Sequence, residues 1–170
     1  MPMYEPGMKV VHPFYGAGII TDIQADDIDE EKYRYYIIET VPNPNSTEVI
    51  VPVEGAVDAG LRPVNDLEDI EVILSDGCVA PDPDDIEDDF RTRQDAMKKS
   101  LKSGSFKRAL EAVSKLVFMS SERSLSIPDR QILDKGKDLL ACEVALASDC
   151  SVDAARKKVE EHLENMLSEE

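Results

Sequence analysis

The chain has 170 residues, with 36 Asp and Glu against 19 Lys and Arg, a net charge of −17 and an apolar fraction of 42%. That length fits one large domain or two small ones, and that apolar content supports packed cores rather than wholesale disorder. No apolar run approaches the ~18 residues of a membrane helix, the N-terminus lacks the basic-then-apolar pattern of a signal peptide, and Cys78, Cys142 and Cys150, odd in number and without CxxC spacing, argue against a zinc site or disulfide framework and fit a reducing compartment.

In chain order, strand patterns fall at about 8–12, 17–24, 32–40 and 47–52, with a short one near 60–64. The first two are separated by His12-Pro13-Phe14-Tyr15-Gly16-Ala17-Gly18, where Pro13 removes a ladder donor and the two glycines permit a sharp reversal. Tyr33 to Ile38 is rich in aromatic and β-branched residues suited to a pleated surface. The acidic stretch Asp26–Glu31 and the segment Pro42–Ser46 read as turns, and Val53–Ala56 as a helical turn before the last strand. Short strands at this spacing predict a small antiparallel barrel.

Helix patterns follow at about 66–75, 85–102, 106–122, 127–148 and 151–168, the first bridging two domains. Phe106, Leu110, Val113 and Val117 recur every three or four residues and form one apolar stripe, as do Val152, Ala155, Val159, Leu163 and Met166. Ser126 with Asp129 makes a capping box around Pro128, Ser151 caps the last helix, and Ser103-Gly104-Ser105 reads as a stop followed by a fresh cap. The expected fold is α+β: a Tudor- or SH3-like barrel over 1–65, a linker helix over 66–80 and an all-helical bundle over 81–170.

Charge is segregated along this frame. Residues 1–80 hold 4 Lys and Arg against 16 Asp and Glu, whereas residues 91–137 hold 12 against 5. Two surfaces of opposite sign suggest two kinds of partner, although solvated faces give the same pattern. No enzyme constellation is present: His12 and His162 stand apart, and neither a P-loop nor a GxGxxG motif occurs. The chain is read as a non-enzyme without metal or cofactor. A ligand-binding barrel would need a pocket of converging polar groups, for which the sequence offers no sign.

Met8 to Ile20, together with Leu125-Ser126-Ile127-Pro128-Asp129-Arg130 and Leu139 to Ala147, resembles the CarD (CdnL) family of bacterial transcription regulators, whose N-terminal domain is shared with the transcription-repair coupling factor. The resemblance implies that the barrel binds the RNA polymerase β subunit by strand pairing, which falls here on Thr47, Glu48, Val49, Ile50 and Val51; two basic contact positions of the family fall on Asp26 and Ile50. It also implies a helical domain that contacts promoter DNA non-specifically near the upstream edge of the bubble and stabilises the open complex. The family's Trp wedge falls on Phe90, followed by Arg91 and Arg93; Phe can serve as a wedge, but Phe90 also shares a helical stripe with Ile86, Met97 and Leu101 and reads equally as core. The expected DNA-contacting set is Phe90, Arg91, Arg93, Lys98, Arg130, Lys135 and Lys137, drawn from a wider basic group that includes Lys99, Lys102, Lys107 and Arg108. A monomeric bacterial cytoplasmic protein, held at the nucleoid through RNA polymerase, is expected. The alternative is a protein–protein adaptor of the same fold that has lost DNA binding, favoured by the absent Trp and by the acids Asp85, Glu87, Asp88 and Asp89.

Overall fold

The computed structural model describes residues 4–28, 31–41, 47–77 and 81–168. The expected turn at Pro42–Ser46 and Cys78 lie outside them. The chain divides into two units, Met1–Val64 and Asn65–Glu170.

The first unit is an antiparallel sheet of β1 (Lys9–His12), β2 (Gly16–Ile28), β3 (Glu31–Thr40), β4 (Glu48–Pro52) and β5 (Arg62–Pro63), in the order β4-β3-β2-β1-β5. The expected barrel is therefore an open sheet, with β4 and β5 at its two edges. The β1–β2 reversal is held from within: His12 Nδ1 accepts hydrogen bonds from the backbone N–H of Phe14 (3.0 Å) and Tyr15 (3.4 Å). Gly16 completes the turn at φ +85°, where a side chain would be strained. Gly18 serves differently from the expected turn role. Its backbone is not left-handed; it lies so close to β3 that a Cβ would sit 2.7 Å from the Glu39 carbonyl oxygen and from Ile38 Cγ2.

The Asp26–Glu31 stretch, expected as a turn, extends the hairpin instead. β2 runs to Ile28 and pairs with β3 through Asp26↔Tyr33 and Ile28↔Glu31. A register shift between Ile20 and Asp22 interrupts this long ribbon, and such an irregularity increases local twist. One face of the sheet buries Val10, Ile20, Tyr36, Ile38, Val49 and Val51 with Tyr4 and Leu61. The Tyr4 hydroxyl donates to the Leu61 carbonyl at 3.1 Å, which ties the chain's start to the segment before β5.

The second unit contains α1 (Leu67–Gly77), α2 (Phe90–Lys102), α3 (Phe106–Glu122), α4 (Ile127–Ser148) and α5 (Val152–Ser168). α1, expected as a linker, contributes Ile70 and Leu74, both fully buried, to the helical core. α3 is central and touches the other four helices; its predicted stripe Phe106, Leu110, Val113 and Val117 is buried throughout. The predicted caps form. Ser105 Oγ accepts from Arg108 N, Ser126 Oγ from Asp129 N and Ser151 Oγ from Ala154 N. α2 begins five residues later than predicted, because Pro83–Asp85 forms only a 3-10 turn and Asp89 caps the new start by accepting from Thr92 N. Gly136 lets α4 approach its neighbours closely; a Cβ there would meet Val113 Cγ2 at 2.5 Å and Leu101 Cδ2 at 3.2 Å.

Candidate functional site

Two surfaces gather the predicted residues, one in each unit. In the sheet unit, β4 pairs with β3 on one side through Tyr35↔Pro52, Ile37↔Ile50 and Glu39↔Glu48, and among the described residues no strand pairs with its other side. An unpaired edge presents a row of main-chain donors and acceptors to a partner strand. Strand alternation sends Val49 and Val51 into the core and leaves Glu48, Ile50 and Pro52 outside, so Ile50 stands 59% exposed. Thr47 precedes the strand, its carbonyl accepting from both Thr40 N (2.9 Å) and Thr40 Oγ1 (3.0 Å). Asp26 lies far along the β2–β3 ribbon, opposite Tyr33. Of the predicted residues the structure therefore brings Thr47 to Val51 together on one edge, and Asp26 belongs to a different part of the sheet.

In the helical unit the predicted basic set separates. Lys98 and Lys135 converge, with Lys102, on a groove of about 300 Å³ between α2 and α4 whose apolar lining includes Leu101, Pro128 and Ile132. Arg130 lies on another groove with Arg123, a residue that sequence reasoning passed over because it falls just past the end of α3. Lys137 sits 3.7 Å from Glu160 of α5.

Arg93 is the clearest departure. It was expected to face DNA, but it is only 5% exposed and its Nη2 donates to Asp129 Oδ2 at 3.1 Å. The same Asp129 accepts from Gln94 Nε2 and from the Ser126 hydroxyl, so the capping box at the start of α4 doubles as the anchor for α2. The physical reason lies in the helix phase. With α2 starting at Phe90, Arg93, Met97 and Leu101 recur every four residues on the inward face, and Ile86 belongs to the preceding segment. The core reading of Phe90 fails as well: the residue shares the helix face of Arg93 and Met97, but as the first residue of α2 it is 55% exposed. It sits on the first turn of α2, with the Arg91 guanidinium 5.9 Å from its centroid, a cation–π distance. Phe90 also lines a groove of about 480 Å³ with Arg123, Leu125 and Pro128.

Cys142 is buried in α4, and that burial, with Asp138 adding to it against an opposing Arg156, pushes its thiol up to about 11. Such a thiol is inert rather than nucleophilic. Asp89 is held below the ordinary carboxylate range, chiefly by the hydrogen bond from the Thr92 hydroxyl. Among the described residues no three His, Cys, Asp or Glu gather to hold a metal ion, and no helix is long and apolar enough to cross a membrane.

Comparison with known proteins agrees with this division into units. Residues 4–65 match the CarD-like/TRCF RID domain, a type of domain that interacts with RNA polymerase, and residues 80–160 match the CarD C-terminal domain. A Bacillus subtilis (strain 168) protein named "Putative transcription factor YdeB" is 26% identical over 149 residues, which span 84% of this chain and 90% of that protein. Both of the family's domains occur here in order, each coinciding with one structural unit, and the chain belongs to the CarD family of transcription regulators.

Proposed function

We propose that this CarD-family protein holds the RNA polymerase β subunit through the open edge of β4 and touches duplex DNA, without sequence preference, through its helical unit. The observation that carries the reading is the pairing of two unlike surfaces in one chain. One is a strand edge offering main-chain hydrogen bonds; the other is a groove on which Lys98, Lys102 and Lys135 converge. Lysines arranged this way neutralise phosphates and read no bases. On this reading Phe90, exposed beside Arg91, enters a widened minor groove at the edge of melted DNA. A protein that binds the open promoter complex better than the closed one shifts the equilibrium toward it by that difference in affinity. No catalytic step is needed.

Two experiments test this reading. The full chain should co-purify with RNA polymerase core from a cognate extract, and Val49→Pro should weaken that capture by removing a β4 donor. A duplex titration across salt should give a log–log slope of about −2.7 if three lysines each release counterions from one phosphate. A flat response would instead favour the adaptor reading. That second reading draws on Arg93 being committed to Asp129 and on the exposed Asp82, Asp84, Glu87, Asp88 and Asp89 ahead of Phe90, which repel phosphate.

A further inference from the structure

We propose that Ser126, between α3 and α4, is a phosphorylation site, and that a phosphate there switches off the DNA contact of the helical unit. The proposal rests on the reading of that unit as a duplex-binding surface and adds how the surface is regulated. Ser126 is exposed and ends the irregular stretch 123–126 that joins the two helices. Its backbone is extended (φ −64°, ψ 163°), and so is that of Arg123 (φ −160°, ψ 167°). Arg123, also exposed, stands three residues ahead of the hydroxyl. A serine kinase directed to basic residues grips such an arginine with carboxylates, by charge-assisted hydrogen bonds. In the transfer, Ser126 Oγ attacks the γ-phosphorus of a nucleoside triphosphate. The bond from that phosphorus to the β–γ bridging oxygen breaks, the nucleoside diphosphate leaves, and the hydroxyl proton passes to the catalytic carboxylate of the kinase.

The groove around Ser126 is equipped to hold a phosphate. It measures about 480 Å³, and Arg93, Arg123 and Ser124 line it together with Ser126. Ser126 caps α4, a helix of 22 residues, whose start carries partial positive charge and N–H groups without helical partners. Arg93 is an independent sign. Its side chain is only 6% exposed, and its Nε finds no hydrogen-bond acceptor among the described residues. Nη2 is taken by Asp129 and Nη1 by the Glu87 carbonyl at 3.3 Å. A buried N–H left unpaired is costly, and a phosphate oxygen is the kind of acceptor that this guanidinium lacks.

The switch follows from what the phosphate displaces. In the unmodified chain the Ser126 hydroxyl donates to Asp129 Oδ2 at 2.8 Å and accepts from Asp129 N. Phosphorylation removes that donor and adds about −1.5 to −2 charges beside Asp129 and Asp88, which line the same groove. The helix start and the two arginines offset this charge, so the fold persists. The surface changes instead. Phe90 then shares its groove with a dianion that repels the backbone of an incoming duplex. The repulsion also falls next to the lysines, because Pro128 lines both this groove and that of Lys98, Lys102 and Lys135.

The test has three arms, all on the full chain. A serine kinase directed to basic residues, supplied with ATP, should place phosphate on Ser126, located by mass spectrometry, and Arg123→Ala should slow that transfer at least about tenfold. No phosphate on Ser126 overturns the modification site. In the second arm, phosphoserine is built in at Ser126 and followed by phosphorus NMR. Its second pKa, about 6 when unperturbed, should be lowered by the arginines and return toward that value when Arg123→Ala is added. An unlowered value overturns the groove as the phosphate's seat. In the third, the phosphoserine chain should bind duplex at low salt at least about tenfold more weakly than the parent, and its capture of RNA polymerase core should be unchanged. Ser126→Ala, which loses the cap but adds no charge, should bind duplex as the parent does. Equal duplex binding by the phosphoserine chain and the parent overturns the switch while the DNA reading stands. An equal loss in Ser126→Ala overturns it too, since the missing hydroxyl then explains the effect. If the parent itself binds no duplex, the DNA reading and the switch fail together, and the first two arms still decide the site.

Discussion

The two units differ in what they leave at the surface. The sheet unit has a small core and leaves apolar side chains and a strand edge in water, a surface that offers shape and main-chain hydrogen bonds. The helical unit has the larger core, spanning all five helices, and gathers three lysines on one groove, beside exposed apolar side chains of its own such as Phe90. It also hides a charge: Arg93 and Asp129 have side chains only 6% and 3% exposed. The contrast teaches that a cationic residue within a basic cluster is not thereby a ligand for phosphate. In α2 one arginine fastens two helices together, while the lysines one turn further along face solvent.

The largest expected effect breaks the hidden charge. Arg93→Met leaves Asp129 buried without its cation and should cost about 3–5 kcal/mol in chemical denaturation. Combining it with Asp129→Leu should recover a good part of that loss, because an apolar pair can replace a buried ion pair, although the Ser126 capping partner is then lost as well. If Arg93→Met unfolds no more easily than the parent and instead loses duplex binding, the assignment of Arg93 to the core is wrong.

Next comes close packing. Gly136→Ala adds a methyl group where Val113 and Leu101 already stand. Overpacking costs about 1–3 kcal/mol and the helix gains up to about 1 kcal/mol, so a net loss near 1 kcal/mol is expected by thermal melting. Because Leu101 also lines the lysine groove, the same variant should alter duplex affinity; Gly18→Ala, in the sheet unit, should destabilise without doing so.

Phe90→Ala sharpens the comparison from the other side. An exposed ring should cost within about 0.5 kcal/mol of stability, and the open promoter complex should dissociate faster. Phe90→Trp should be tolerated in the fold and hold the complex at least as long. An unchanged open-complex lifetime for Phe90→Ala would end the wedge reading.

The smallest effect is a pH dependence of the sheet unit. Burial lowers the pKa of His12 from 6.5, and its Nδ1 must stay unprotonated to accept from Phe14 and Tyr15. The neutral ring is favoured in the folded state, so this contribution is present above about pH 6.5 and fades as pH falls through the lower folded value. His12→Gln should flatten the melting curve of the first unit between neutral and mildly acidic pH. A melting temperature that rises on acidification through that window would contradict the assigned role.

Much of this was legible in the chain. The strand positions, four of the five helices, the caps at Ser105, Ser126 and Ser151 and the stripes of α3 and α5 follow from local rules, because hydrophobic period and cap chemistry act within a few residues. The turn ahead of β2 was equally plain, since Pro13 removes a ladder donor and Gly16 takes a positive φ, whereas the close approach that requires Gly18 was not. Three things were decided only by tertiary structure. The start of α2 falls where Asp89 caps it by accepting from Thr92 N, after the separate 3-10 turn at Pro83–Asp85. Arg93, Met97 and Leu101 share one helix face and are buried, whereas Phe90, on that same face, is left exposed at the first residue of the helix. The pairing of Arg93 with Asp129 spans 36 residues, beyond the reach of any local pattern. And His12, Phe14 and Tyr15 share a groove with Ile50 and Pro52 of β4, although β2 and β3 lie between β1 and β4 in the sheet order. The sequence names the residues of each surface; long-range packing decides which of them share one.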